Sequence, residues 1–327
     1  MNLTCSRTLR RLVHCTFPLW ICAAAPLLAD VTVRYQTEIK LAPSLPPQAQ
    51  EQMKNAMQSA KYTIYMKDGK GMAAMGAYSS MLDYIKQQFL IMDTNDHTYA
   101  ILPSAELTDK MIAILPSVPE EAKKAMSDMK IGFEKKTTGR TDTILGIQAE
   151  EREMTLSMDM PLPGGAPQSG MSMKMVVQFW TAKPEEAQRN QAVRELMGYS
   201  LYSNYFMNPA AMMQKMTAAI PGLSDALKSM VDDFVKNRAV MLRTRTAMYM
   251  QMPPEVLQKL KEQGGAAGAM DFSGPLSETI QEAVEVSSAP VQASVFEVPA
   301  DYKAIDAVDL LKKMIKSQMG AMAAQAK

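Results

Sequence analysis

Residues 62–72 read YTIYMKDGKGM and residues 89–102 read FLIMDTNDHTYAIL. In each stretch two runs of strand-forming residues flank a short polar connection, at residues 67–70 and 94–97. An Asp-Gly pair such as Asp68-Gly69 between two such runs is typical of a tight β-hairpin, because its backbone needs positive φ angles. Two hairpins in succession predict an antiparallel meander, which Pro103 ends.

The remaining segments extend this sheet and interrupt it with helices. Residues 30–40 alternate apolar and polar side chains, which predicts a strand. Between residues 184 and 237 the spacing of Leu196 and Tyr199 is that of a helix face, so we expect a helical insertion there. Residues 264–268 are glycine and alanine only, which predicts a flexible linker. A phosphate-binding loop is not indicated, because the lysine of such a loop does not follow. Further strands are predicted at 131–136, 143–150, 239–252, 282–288 and 292–298, and further helices at 107–129, 255–263 and from 305 onward.

The first 29 residues predict a secretory signal peptide. They carry Arg7, Arg10 and Arg11 with no acidic residue, followed by an apolar stretch at 12–28 that ends on the small Ala29. Two prolines interrupt this stretch, and it is shorter than the roughly 20 apolar residues that span a bilayer. We therefore expect cleavage after Ala29 and a periplasmic or secreted protein without a transmembrane span.

The cysteines and the charge balance argue against a disulfide-stabilised protein and against a nucleic-acid-binding protein. Cys5, Cys15 and Cys22 all precede residue 30, so the exported part has no thiol and its fold must rest on packing rather than on disulfides. The loss of the three arginines leaves a slight excess of acidic residues. No strong positive field therefore argues for nucleic acid as a partner.

The sequence offers little catalytic chemistry. His97 is the only histidine after residue 29, and its neighbours Asn95 and Asp96 indicate a turn residue rather than a general base. One histidine without cysteine cannot assemble a familiar zinc site. Nucleophile-elbow, His-Glu-x-x-His and dinucleotide-binding glycine patterns are missing from the sequence. We predict a protein that is not an enzyme and has no catalytic residues, no cofactor and no metal site of these kinds.

Methionine is the main peculiarity of the composition, with 31 of 327 residues. Met158 and Met160 share one face of a predicted strand, because side chains alternate along a strand. Met171, Met173 and Met175 share one face of the next strand. If the two strands pair, their methionines meet across the hairpin. The same alternation recurs on a third predicted strand, at Met248, Met250 and Met252.

Three interpretations of these methionines remain open. They are core residues, since a flexible thioether fills irregular gaps under a helix. Alternatively, they form a pliable apolar surface that repacks around lipid tails or other hydrophobic ligands. The third interpretation is Cu(I) binding, because thioethers are soft ligands.

The order of several short motifs resembles a known family. Residues 62–72, 89–93 and 98–103, then Thr138-Gly139 with 144–149, the strand that ends at Trp180, and residues 296–302 are similar to exported bacterial proteins of the domain-of-unknown-function 4412 family. They are more distantly similar to LolA-like periplasmic lipoprotein carriers. The resemblance implies a strongly curved antiparallel sheet, a half-barrel with helices on its concave side. For the carriers it also implies a hydrophobic cavity that takes acyl chains.

We therefore predict a single α+β domain at residues 30–327, built on a curved antiparallel sheet. The expected function is non-catalytic binding of a hydrophobic or lipid-like ligand in the periplasm, with Met158, Met160, Met171, Met173 and Met175 as the lining. The alternatives are a structural or protein-interaction module whose methionines form its core, with envelope proteins as partners, and Cu(I) binding.

Overall fold

A computed structural model describes residues 30–45, 62–114, 130–160, 171–207, 239–263 and 271–323, together with positions 47, 50, 51, 228, 232 and 236. The predicted signal peptide and the linker at 264–268 lie outside the described residues, as does most of the chain between 208 and 238.

The described part of the chain consists of β-strands, which pair mostly antiparallel, and of helices that lie between some of them along the chain. The strands are β1 (Val31–Leu41), β2 (Tyr62–Lys67), β3 (Lys70–Met75), β4 (Tyr78–Asp83), β5 (Gln88–Asp93), β6 (Thr98–Pro103), β7 (Lys130–Ile144), β8 (Ile147–Met160), β9 (Met171–Ala182), β10 (Met241–Gln251), β11 (Ser277–Ser287) and β12 (Lys303–Ala304). The helices are α1 (Ser104–Ile114), α2 (Glu186–Arg189), α3 (Gln191–Met207), α4 (Pro254–Gln263) and α5 (Ala307–Ala323).

All twelve described strands belong to one sheet, in the order β12-β6-β5-β4-β3-β2-β1-β11-β10-β9-β8-β7. Only the short β12 runs parallel to its neighbour, β6. The first strand lies in the middle of the sheet, where β11 from the far end of the chain pairs with it. The predicted α+β class and antiparallel sheet are confirmed.

Both hairpins predicted from the turn residues are confirmed. Asp68 and Gly69 connect β2 to β3 with φ angles of 48° and 74°, the combination that Asp-Gly tolerates best. Residues 94–97 connect β5 to β6, with His97 at a φ of 50°. The strand β4 between these hairpins was not predicted, because its Tyr-Ser-Ser-Met-Leu-Asp sequence has no clear alternation.

Two predictions about strands were wrong in their extent or type. The segments 131–136 and 143–150 belong to the long hairpin β7–β8, whose turn lies at Leu145 and Gly146, both with positive φ. The interval between these two predicted strands is part of β7, where the pairing register shifts between Thr137 and Thr141. Residues 292–298 form no strand: Ala293–Phe296 is a 3-10 helix, and its apolar residues cover the sheet.

The predicted helical segments are confirmed where the structure describes them. Helices α2 and α3 follow β9 at the start of the predicted insertion, and α4 and α5 match the helices expected from 255 and 305. The helix predicted at 107–129 begins as α1, and residues 115–129 lie outside the described part. Among the described residues, no helix has the length and apolar character needed to cross a bilayer.

Helices and a loop bury both faces of the sheet around β5. Ile91 contacts the cluster formed by α1 and α5, including the fully buried Leu310 and Leu311. Leu90 and Met92 point to the other face, where the segment around Phe296 covers them. This end of the domain is therefore a three-layer core.

Helix α3 packs on the centre of the sheet and joins its two halves. Val193 and Leu196 on α3 are buried against Val31 and Val33 of β1 and Leu242 of β10. The side chain of Glu186 in α2 fixes the start of the helical segment, since its Oε1 accepts the backbone N–H of Gln148 at 2.9 Å. The other half of the sheet, β7 to β10, carries the five methionines predicted as a ligand lining.

Candidate ligand-binding face

The predicted methionine strands pair as a hairpin. In the β8–β9 ladder Met160 lies opposite Met171, Met158 opposite Met173, and Leu156 opposite Met175. Directly opposite residues share a face of the sheet. All five methionines predicted as the lining therefore lie on one face, and the side chain of Met160 lies outside the described part of the structure.

A third strand extends this face. Met250 lies opposite Met173, and Met248 lies opposite Met175. On the other side of the hairpin β7 adds Phe133 opposite Leu156. We call this surface the methionine face; its members are Ile131 and Phe133 on β7, Met154, Leu156, Met158 and Met160 on β8, Met171, Met173, Met175 and Val177 on β9, and Met248 and Met250 on β10.

Burial divides the methionine face into two zones. Met154 and Leu156 are buried, as is Phe179 next to them on β9. Met158, Met173 and the remaining described methionines of the face are only half-buried. One zone is therefore packed inside the protein, whereas the other keeps part of its thioether surface accessible.

The opposite face of the same strands carries a row of hydrogen-bonded polar side chains. The Nε2 of Gln178 donates to Glu153 at 2.8 Å, and Nη1 of Arg245 donates to the Oε1 of Gln178 at 2.9 Å. Arg245 also donates through Nε to Glu278 at 2.9 Å. We call this row the polar ladder; it continues to Arg140, which pairs with Glu151 and Glu153, and to Lys40, 3.8 Å from Glu278.

The polar ladder fixes which face the methionines occupy. A slip of one residue between two strands moves every side chain to the other face. Such a slip in β9 would bring Gln178 to the methionine face and would leave the Arg245 guanidinium and the Glu153 carboxylate without their shared partner. The bonds of Gln178 therefore hold the methionine register.

A groove of about 470 Å³ lies at the end of β1 and the start of β11. None of the five predicted methionines is among its described lining residues. It is lined by Lys40, Leu41, Ala42, Pro43, Ser44, Asp271, Ser273, Gly274, Pro275 and Glu278. Sequence reasoning missed this groove, because its two sides are far apart along the chain.

His97, in the turn between β5 and β6, contacts two residues that precede β12. Its Nδ1 lies 2.6 Å from Oδ2 of Asp301, and its ring stacks on Tyr302 with 5.2 Å between ring centroids. Both side chains of the His97–Asp301 pair are largely exposed, and the backbone oxygen of His97 accepts the N–H of Lys303. These contacts attach β12 beside the turn, which agrees with the predicted role of His97 as a turn residue.

The described part of the chain holds no group of three histidine, cysteine, aspartate or glutamate side chains arranged for a metal ion. Comparison with known protein families and with curated proteins finds no match to this chain. The resemblance to exported bacterial proteins and periplasmic carriers therefore stays a prediction.

Proposed function

We propose that this is an exported, non-catalytic protein that binds a hydrophobic or lipid-like ligand in the periplasm, on the half-buried zone of its methionine face. The observation that carries the proposal is the cross-strand array of methionines on β8, β9 and β10, centred on Met173 between Met158 and Met250.

The chemistry of the side chain suits such a surface. Methionine is unbranched, has three rotatable bonds and a polarizable sulfur, and adapts to ligands of variable shape. Branched side chains would present a stiffer strand surface. A row of methionines held by a fixed register thus combines a rigid backbone with mobile contact atoms.

The alternative interpretation, a purely structural core, fits other methionines of this chain better. Met72 is 2% exposed and lies in a cluster with Leu90 and Phe296. Met173 and Met175 keep more of their surface accessible although they belong to long, fully paired strands. The difference in burial supports a binding surface at Met173 and a core role at Met72.

The shape of the sheet is also compatible with a carrier. Register shifts interrupt three ladders, at Arg34/Tyr35, Met241/Arg243 and Thr137/Thr141. Such irregularities bend a strand and increase its twist. We infer that they curve the sheet in the half-barrel manner that the resemblance implies.

The proposal is tested by native mass spectrometry of the protein purified from its own periplasm, with organic extraction of whatever is bound. A stoichiometric hydrophobic molecule is expected with the wild type. Met173→Ser should lose most of it, and Met75→Ser should retain it, since Met75 lies on β3 and is already 42% exposed. A bare polypeptide mass that added lipids do not change would contradict the proposal and favour a protein-interaction module.

Cu(I) binding stays a second candidate because of one row of residues on the methionine face. Met158, Met173 and Met250 lie opposite one another on three neighbouring strands, with Cβ atoms about 5 Å apart in such pairs. Three thioethers at that spacing suit a soft ion. The same spectrometer separates the candidates, because incubation with Cu(I) would add the mass of one copper to the wild type and none to Met173→Ser.

A further inference from the structure

The strand β7 lies at one edge of the described sheet and, among the described strands, pairs only with β8. It is 15 residues long, and most of its side chains are exposed. The outer edge of such a strand presents backbone N–H and C=O groups that can pair with a strand of another chain. The other edge of the sheet is less suited to this, because β12 there is only two residues long.

An irregularity divides β7 into two parts. Its pairing register with β8 shifts between Thr137 and Thr141, and Gly139 in this interval has a φ of 75°. Bulges of this kind bend a strand and interrupt its pairing. The longer regular part that remains for a partner runs from residue 130 to residue 137 and reads Lys-Ile-Gly-Phe-Glu-Lys-Lys-Thr.

Two copies of this regular part can pair with each other about a two-fold axis perpendicular to the sheet. Such an axis makes the two strands antiparallel and keeps the same face of both copies on the same side. Opposite residues are then equally far from the residue on the axis, and each contact occurs twice. The axis must also leave the irregular interval out of the paired region, which excludes Thr137 as its position.

The charges of the regular part select the residue on the axis. An axis through Gly132 brings Lys130 of each copy opposite Glu134 of the other, so that two ion pairs form. An axis one residue further along would pair Lys130 with Lys136, and an axis at any of residues 134–136 would place a charged side chain opposite its own copy. Like charges directly opposite each other destabilise a strand pair. Gly132 is therefore the axis position that opposes unlike charges without opposing like ones.

The same axis pairs apolar residues on the methionine face. Ile131 of each copy lies opposite Phe133 of the other, and both side chains are half-buried in the single chain. Pairs of an aromatic and a β-branched residue stabilise neighbouring strands. The charged pairs lie on the opposite face, because Lys130 and Glu134 alternate with the apolar residues. Both faces of the strand pair are thus complementary in one register.

We infer that two copies of the protein pair through β7, with Gly132 on the two-fold axis, and that this pairing joins their methionine faces into one surface. In the single chain Ile131 lies opposite Met158. Adjacent strands are about 4.8 Å apart, so Met158 lies about 10 Å from Phe133 of the second copy. A row of apolar side chains then crosses both copies: Met250, Met173, Met158 and Ile131 of one copy, followed by Phe133, Leu156, Met175 and Met248 of the other.

The oligomeric state of the wild type is the first test. The paired segment is short, and small interfaces belong to weak complexes, so we expect a dimer that dissociates in the micromolar range. Sedimentation velocity at protein concentrations from about 1 to about 300 μM should show the monomer giving way to the dimer by mass action. A monomer at every concentration would overturn the inference.

Charge reversal tests the register. Glu134→Lys sets two positive charges against each other in both ion pairs, and Lys130→Glu sets two negative charges against each other. Each variant alone should weaken the dimer by about tenfold or more. Glu297→Lys and Lys312→Glu make the same changes of charge at exposed positions away from β7, and these controls should dimerise like the wild type. Wild-type affinity in both β7 variants would overturn the inference.

A mixture of the two β7 variants separates a lost register from a damaged fold. One copy of each variant restores both ion pairs with the charges exchanged, so Glu134→Lys and Lys130→Glu should form a heterodimer with about the wild-type affinity. Heavy-nitrogen labelling of one variant distinguishes the heterodimer from either homodimer in native mass spectrometry. A mixture that stays monomeric at concentrations where the wild type dimerises would overturn the pairing about Gly132.

The dimer does not rest on the proposed function, because its contacts need no ligand. A dimer from which no hydrophobic molecule can be extracted, and which binds none when lipids are added, would support this inference and contradict the proposed function. A monomer that carries such a molecule would overturn this inference and leave the proposed function in place.

Discussion

Lys313 on α5 holds a carboxylate of the sheet: its Nζ lies 2.5 Å from Oδ2 of Asp93, whose side chain is 1% exposed. Asp93 also accepts the backbone N–H groups of Asn95 at 2.9 Å and Asp96 at 3.3 Å. One buried carboxylate therefore closes the turn after β5 and attaches the last described helix to it.

We expect Lys313→Met to lower the midpoint of urea unfolding clearly, because the aliphatic stem would remain but Asp93 would be buried without its cation. Breaking a buried pair costs more than the pair contributes, since the remaining charge cannot return to water. Lys312→Met is the matched control on the exposed side of α5 and should leave the midpoint unchanged. Equal midpoints for the two variants would contradict the role of Lys313.

The same carboxylate predicts a pH dependence. Burial raises the pKa of Asp93, but hydrogen bonds from Lys313 and from the N–H groups of Asn95 and Asp96 outweigh it, so the pKa lies below its ordinary value of 3.8. Stability from a lowered carboxylate pKa is complete above the unfolded-state pKa and is lost as pH falls through the folded-state pKa. The urea concentration at the unfolding midpoint should therefore decrease as the pH is lowered below about 4.

Asp93→Asn tests this dependence. The amide oxygen can still accept the two turn N–H groups, but the variant has no charge to titrate. Its midpoint at neutral pH should be lower than that of the wild type, and its loss of stability in acid should be shallower. Lowered pKa values at Asp142, beside Arg243, and at Glu186, beside Arg189, leave part of the acid dependence in place. Parallel curves for wild type and variant would exclude Asp93 as a source of the dependence.

Gly71 and Tyr199 are in close contact between β3 and α3. A Cβ on Gly71 would lie 2.0 Å from Cε2 of Tyr199, and the Tyr199 ring meets Tyr84 edge-on at 5.8 Å between ring centroids. Gly71→Ala should therefore destabilise the protein by about 1–3 kcal/mol through overpacking. In a Tyr199→Ala background the same change should cost almost nothing, which a double-mutant cycle by urea unfolding measures.

Gly198→Ala is the control for this cycle. It lies next to Tyr199 on the same helix, and its Cβ would meet nothing within 4 Å. Alanine should stabilise the helix there by up to about 1 kcal/mol. A loss of stability in Gly71→Ala that persists without the Tyr199 ring would show that the backbone, not the ring, requires glycine.

Features that local chemistry determines could be predicted from the sequence. The Asp68-Gly69 turn follows from the φ angles that the two residues accept, and the shared face of Met171, Met173 and Met175 follows from alternation. Residue type alone misled: residues 292–298 are rich in strand-forming residues, yet Ala293–Phe296 form a 3-10 helix, and apolar side chains of this segment cover Leu90 and Met92.

Features that depend on distant pairing could not be predicted. The groove forms because β1 pairs with β11, which brings Ser44 and Asp271 together across 227 residues of chain. Neither segment has a motif of its own. The contact of Gly71 with Tyr199 could not be predicted either, because a glycine in a strand pattern does not indicate which side chain packs against it.

The polar ladder should contribute more to stability than an exposed ion pair. In Arg245–Glu278 the side chains are 32% and 13% exposed, whereas in Arg34–Glu285 they are 53% and 37% exposed. Arg245→Leu should destabilise by about 2 kcal/mol, because it leaves the Gln178 oxygen without its donor and leaves Glu278 with only the more distant Lys40. Arg34→Leu should cost less than about 1 kcal/mol. Equal costs by urea unfolding would contradict a structural role of the ladder.

Oxidation by dilute hydrogen peroxide distinguishes a methionine surface from a methionine core. Thioethers are oxidised to sulfoxides according to their exposure. Peptide mass spectrometry measures the rate at each methionine. Met75 should react first and Met72 last, and Met173 and Met175 should react at intermediate rates. The apolar dye diphenylhexatriene, when bound, should slow the oxidation of Met173 and Met175 several-fold and leave that of Met75 unchanged, because only the former would lie under the dye. If Met173 is as protected as Met72 without any ligand, the methionine face is core, and the ligand must be sought elsewhere.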